Sequence, residues 1–287
     1  MPVIAIVNRK GGSGKSTLAT HLAAYCARQG IPVMLGDVDR QQSTRAWLAR
    51  REARGASAGL AIHGWAQDPR RVLRPPPGIQ HVVLDTPGGL RDTDLARVVM
   101  YADAILMPVC QSLFDRESAA ACHAELMTLP RVSSGRCRVA AVGMRLDSRT
   151  KADEELRRWA EEHDIRFIGA IREAQAYVRG LERGLTMFDA PPAQAQRDLE
   201  QWQPILDWLG PLLEPASEPE VAVAPSPPLA TRPPAVAVAP RVAPVPEDAS
   251  ARFQPVASMF VRLDESAPPR GWGRWLRWLP TAVLGRR

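Results

Sequence analysis

Eight residues near the start, KGGSGKST at 10–17, lie between an apolar run, VIAIVN (3–8), and a stretch of helical periodicity. No other segment restricts the architecture as tightly. Gly11, Gly12 and Gly14 let a backbone approach a ligand closely and turn its N–H groups inward. A helix starting directly after such a loop adds a favourable partial charge for an anion. Strand, Gly-rich loop and helix in that order, with Lys15 followed by Ser16 and Thr17, form the pattern of a phosphate loop. Lys15 is expected to bridge the β- and γ-phosphates of ATP, the Ser16 hydroxyl to ligate Mg2+, and Ser13 and Thr17 to complete the cradle. Lysine usage sharpens the reading. The chain has three lysines, Lys10, Lys15 and Lys151, and two of them sit in this loop, where a compact ammonium suits the chemistry better than a planar guanidinium.

A phosphate loop implies an α/β sheet around it, and the periodicity agrees. A helix is expected from Ser16 to Gln29, with Leu18, Leu22, Ala23 and Cys26 on one side and Gly30 closing it. Apolar strand-like runs follow at 31–39, 81–86, 102–109 and 137–145, with helical patterns near 92–101, 115–129 and 150–163 and a last helix near 194–210. Continuous apolar strands alternating with helices predict a mostly parallel, twisted sheet covered by helices on both faces. This domain is expected to span 1–213. Composition then shifts to Pro, Ala and Val, which predicts a disordered, extended linker over 214–251. The tail, 252–287, carries a Trp/Arg-rich amphipathic segment at 272–284 that reads as a membrane or protein contact.

Carboxylates are expected at the C-terminal ends of strands, where ligands bind in such sheets. Asp85 ends the run HVVLD and is placed to hold Mg2+. Asp37 and Asp39 close the second strand two residues apart, so alternation points both to one face. Asp37 is assigned to the metal and Asp39 to orienting the attacking water, with capping of the following helix as the structural alternative for either.

With these residues in view, the chain resembles the ParA/MinD family of ATPases. The box KGGSGKST, opened by an extra lysine, looks like that family's deviant Walker A motif, and DVDRQQS (37–43) resembles its second box, with Arg40 where proline is usual. LDTPGG (84–89), ADAILMPVCQSLFD (102–115), VGMRLDSRTK (142–151) and AYVRGLERGLTMFD (176–189) follow in family order, so the similarity covers about residues 1–210. The resemblance implies a homodimer formed with ATP, in which Lys10 reaches the partner's phosphates, and slow hydrolysis stimulated by a ParB-like or cargo-adaptor protein. It implies non-specific DNA binding, for which Arg149, Lys151, Arg172, Arg179 and Arg183 are the candidates, ordinary solvated helix faces being the alternative. Met144 and Arg145 stand where many relatives carry the asparagine that reads adenine, and a Met–Arg pair can pack against a purine.

Composition limits the remaining classes. Apolar residues make up 45%, enough for a buried core, and the net charge of +6 favours polyanionic partners. No run nears the roughly 18 apolar residues of a membrane span, and MPVIAIVNRK reads as a strand rather than a signal peptide. Cys26, Cys110, Cys122 and Cys137 form no C-x-x-C pair, which fits a reducing cytosol, makes packing their expected role and disfavours an iron-protein-like reductase. A cytoplasmic, nucleoid-associated positioning ATPase is the leading expectation. Membrane cycling of the MinD kind, at the inner membrane, or an accessory of an envelope complex such as cellulose secretion, is the alternative. A metabolic ligase on the same fold is disfavoured by Lys10.

Overall fold

The structure, a computed structural model, describes residues 1–39, 41–55, 61–66, 74–147 and 149–213. The expected linker (214–251) and tail (252–287, with 272–284) lie outside the described residues, as does Arg40. Along the chain run β1 (Val3–Ile6), α1 (Lys15–Arg28), β2 (Val33–Asp37), α2 (Ser43–Ala53), β3 (Ile62–Ala66), β4 (His81–Asp85), α3 (Asp92–Tyr101) and β5 (Ala104–Val109). Then follow α4 (Leu113–Thr128), the short α5 (Pro130–Ser133), β6 (Arg138–Leu146), α6 (Ala152–Glu162), β7 (Phe167–Arg172), α7 (Gln175–Glu182) and α8 (Pro192–Leu213). No helix among the described residues is long and apolar enough to cross a membrane.

Among the described residues, seven strands form one sheet in the order β3-β2-β4-β1-β5-β6-β7, and every described pairing is parallel. Every residue of β1, β2, β4 and β5 is buried, which is why these strands read as unbroken apolar runs and not as alternating ones. Alternation survives as a choice of layer. Ile4 and Ile6 pack with α1 and α8 on one face, while Val3, Ala5 and Val7 pack with α3, α4 and α6 on the other. The four cysteines are unpaired and buried.

The layer beneath the phosphate loop is tied to α8, the last described helix. His21 of α1 stacks on Trp202 of α8 with ring centroids 5.4 Å apart and planes at 10°. Burial pushes the His21 imidazole down to about 4, so it stays neutral at physiological pH. Trp202 donates from Nε1 to Tyr177 Oη at 3.3 Å, and His81 Nε2 lies 2.6 Å from the Leu212 carbonyl oxygen. A second tie joins α2 to the turn after α7. Arg51 pairs with both oxygens of Asp189 at 2.7 and 2.8 Å and donates to the Gly184 carbonyl at 3.1 Å. Gly184 sits at φ +72°, and an added Cβ would fall 2.5 Å from the Arg51 backbone nitrogen. Only glycine satisfies both the angle and the approach.

Candidate functional site

Parallel register brings the chemistry together. Ile6 of β1 lies level with Asp85 of β4, and Asp85 level with Asp37 of β2, so three neighbouring strands end in one row. The loop 10–17 follows β1, at one end of that row and at the centre of the seven-stranded sheet. Gly12 and Gly14 take φ of +72° and +101°, and a Cβ on Gly14 would meet Met144 Cε at 2.8 Å. Lys15 begins α1, is 6% exposed, and donates from Nζ to the Lys10 carbonyl at 3.0 Å. Burial lowers its pKa, with Asp85 and Asp39 acting the other way. A cavity of about 760 Å³ opens above the loop, lined by Gly11, Gly12, Gly14, Lys15, Ser16 and Thr17 together with Asp39, Pro87, Gly88, Gly89 and Arg145. Its size is that of a nucleotide-scale site.

Asp85 is 1% exposed and neither of its oxygens accepts a full hydrogen bond. Burial pushes its carboxyl up to about 7, Asp37 and Asp39 adding to the rise while the nearby Ser16 hydroxyl and Lys15 oppose it. An orphaned buried carboxylate beside a serine hydroxyl is the donor set a hard divalent cation needs. Ser16 and Asp85 therefore fit Mg2+, which would supply positive charge to offset the negative charge of the phosphates.

Two assignments change. Asp37, expected at the metal, instead spends both oxygens on its own chain. Oδ2 accepts from Thr44 Oγ1 at 2.7 Å and Arg45 N at 3.2 Å, and Oδ1 from Asp39 N at 3.1 Å. It thereby satisfies one orphan donor, the Arg45 N–H, at the start of α2. β2 ends at Asp37, so strand alternation does not carry over to Asp39. Asp39 still lines the cavity and accepts from Gln41 N at 2.9 Å. Met144, expected against a purine, is 2% exposed and packs beneath Gly14, supporting the loop. Arg145 next to it has φ +54° and turns back over the loop, donating to the Gly12 carbonyl at 2.6 Å.

Lys10 does not extend freely. Its Nζ lies 2.6 Å from Asp115 Oδ1 in the first turn of α4, and the preceding Arg9 pairs with Glu125 in the last turn. Asp115 and Glu125 were legible only in part. Ser112 and Asp115 have capping-box spacing, and Ser112 Oγ does accept from Asp115 N at 3.2 Å, but nothing local marks their basic partners. Of the DNA candidates, Arg172 forms a two-pronged pair with Asp198, both bonds 2.9 Å, and serves to fasten β7 to α8. That use of its guanidinium withdraws it from the surface set. Arg149 pairs with Asp147 but stays 87% exposed, and Lys151, Arg179 and Arg183 are exposed. All four lie in segments following β6 and β7, at the same end of the sheet as the cavity.

A parallel sheet with a glycine loop off its central strand and an acid at the end of the next one defines a P-loop nucleotide-binding protein. The chain belongs to the CobQ/CobB/MinD/ParA nucleotide binding domain family, which it matches over residues 4–188, and is an ATPase of the ParA/MinD type. It is 33% identical over 188 residues to the maintenance of carboxysome distribution protein A of Gloeobacter kilaueensis, covering 65% of this chain and 83% of that one. In fold it is similar to Cyanothece McdA in complex with ATP, with a TM-score of 0.56, 17% identity, and coverage of 71% of this chain and 96% of that one. The MinC:MinD cell division complex of Aquifex aeolicus is similar at a TM-score of 0.54 and 18% identity, covering 76% and 98%.

Proposed function

We propose that this chain is a positioning ATPase that dimerises on binding ATP and Mg2+, holds non-specific DNA as a dimer, and distributes or segregates a cargo. The observation that carries the reading is the match to a carboxysome distribution protein over 83% of that relative's length, which makes a protein assembly as suitable a cargo as a plasmid or chromosome. Lys15 and the loop amides bind the phosphates, Ser16 and Asp85 hold Mg2+, Asp39 orients the attacking water, and Lys10 completes the partner subunit's site. Positioning and fixed charge dominate such phosphoryl transfer, and a site completed only in the dimer makes turnover slow until a cargo-borne protein stimulates it. Arg149, Lys151, Arg179 and Arg183 supply phosphate contacts without base readout, placing the protein on the nucleoid in the cytoplasm. Residues 1–213 form the ATPase domain.

The test is binding of full-length Asp39→Ala protein to a random-sequence duplex with ATP or ADP. Binding with ATP alone, weakening steeply with salt, is the expected result. Binding to anionic liposomes in place of DNA would move the function to the membrane and to residues 272–284.

A further inference from the structure

The extra lysine that opens the phosphate loop is engaged before any partner arrives. Lys10 Nζ lies 2.6 Å from Asp115 Oδ1, with side chains 38% and 13% exposed. Asp115 is itself held in place. Its Oδ2 accepts from Ser112 Oγ at 2.5 Å, and it sits in the first turn of α4, where the helix favours a negative charge. Burial raises its pKa, but the hydrogen bonds from Lys10 and Ser112 bring it below the usual carboxylate range. One residue earlier, Arg9 is clasped by Glu125 at the other end of the same helix. Thus α4 grips both cations at the entry to the loop. The same first turn exposes two large apolar side chains, Leu113 at 57% and Phe114 at 72%.

We propose that Asp115 is a latch: it holds Lys10 back in the resting chain, and docking of a second copy of this chain requires that ion pair to open. The inference rests on the dimer reading above and adds its regulation. A two-fold dimer is self-complementary, so the turn that carries the latch on one subunit carries it on the other, and both must open together. Lys10 cannot serve Asp115 and a partner's phosphates at once. ATP therefore competes with Asp115 for one ammonium group, and Leu113 and Phe114 are the apolar surface that the incoming copy covers as the latch gives way.

The experiment uses full-length chain carrying Asp39→Ala, with saturating Mg2+–ATP, and reads the dimer fraction against protein concentration by light scattering. A part-exposed ion pair contributes about a fivefold factor, so two latches give about 25-fold. Asp115→Asn should lower the protein concentration for half-dimerisation by about that factor, while Asp115→Glu, which keeps the carboxylate, should stay near the parent. In the nucleotide-free chain, acylation of the Lys10 amine, followed by peptide mass spectrometry, should quicken in the Asn variant. Faster acylation with unchanged dimerisation would overturn the latch and leave the dimer reading standing. Weaker dimerisation would place Asp115 in the docked state instead, and overturn it too. A parent chain that never dimerises with ATP would remove the reading and the latch together.

Discussion

Replacing Asp85 by Asn should stabilise the nucleotide-free protein, and by an amount that grows with pH. In the unfolded chain this carboxyl titrates near 3.8, and in the fold burial moves it to about 7. Between those values the unfolded chain has released its proton and the folded one has not, so folding stability falls as pH rises and levels off above about 7. Each unit of difference is worth about 1.4 kcal/mol, which makes the penalty roughly 1–2 kcal/mol at pH 5 and about 4 kcal/mol at pH 8. Asn carries no titrating proton and escapes the fall. Urea unfolding of both proteins at pH 5, 6, 7 and 8 in a chelator would read it, and at about 2–4 °C per kcal/mol the thermal midpoint at pH 8 should rise by roughly 10 °C. The gain is bought with function: the stabilisation that Mg2+ adds to the ATP-bound parent should shrink in the variant. A gain equal at pH 5 and pH 8, or an Asn variant less stable than its parent at pH 8, would refute the assignment of a buried, unpartnered carboxylate.

Gly14→Ala should lose nucleotide binding and about 1–3 kcal/mol of stability, because φ +101° is unfavourable to alanine and its methyl would strike Met144; tight binding in calorimetry would contradict the loop geometry. Arg172→Met leaves Asp198 buried and unpaired, so it should cost about 3 kcal/mol in chemical unfolding while the salt dependence of DNA binding stays unchanged. A flatter salt dependence would return Arg172 to the DNA surface. Lys15→Ala should abolish ATP binding at an intact fold, checked by circular dichroism, and retained binding would sink the phosphate-loop role.

The parts of this molecule that could be read from sequence were those whose cause is local. Buried parallel strands announce themselves as apolar runs, and α3 falls at 92–101 as its periodicity predicts. The sheet's edges did not. β7 is a short run, FIGAI, interrupted by Gly169 and only partly buried, and β3 is five residues that mix His63 with apolar ones around a central glycine. α2 went unmarked as a helix although it buries Thr44, Trp47, Leu48 and Arg51 at helical spacing, because two of those four are polar. In the site, the loop and Asp85 were legible, since strand, turn and acid stand in fixed order. Alternation does not reach Asp39, because β2 ends at Asp37, and the bonds that occupy Asp37 come from Thr44 and Arg45 of the following helix, which no strand pattern reports. Met144 and Arg145 depend on a register shift in β6 and a positive φ, neither of which leaves a compositional trace. The grip of α4 on Lys10 joins residues 105 positions apart, and no periodicity reports such a pair.

The stacking of His21 on Trp202 has a consequence for how the protein comes into being. α1 is made early and carries the phosphate loop at its head, yet the aromatic layer that packs it comes from Tyr177, Phe188 and, last of all, Trp202 of α8, a helix whose last buried residue is Leu213. During synthesis the loop therefore emerges long before the support beneath it. A nascent chain short of α8 has the residues of a nucleotide site but lacks Trp202, Ile205 and Leu209 from the core on that face. Competence to bind nucleotide should thus arrive late and abruptly, as the ribosome finishes the domain, and a ribosome stalled before α8 should display a chain that does not retain ATP.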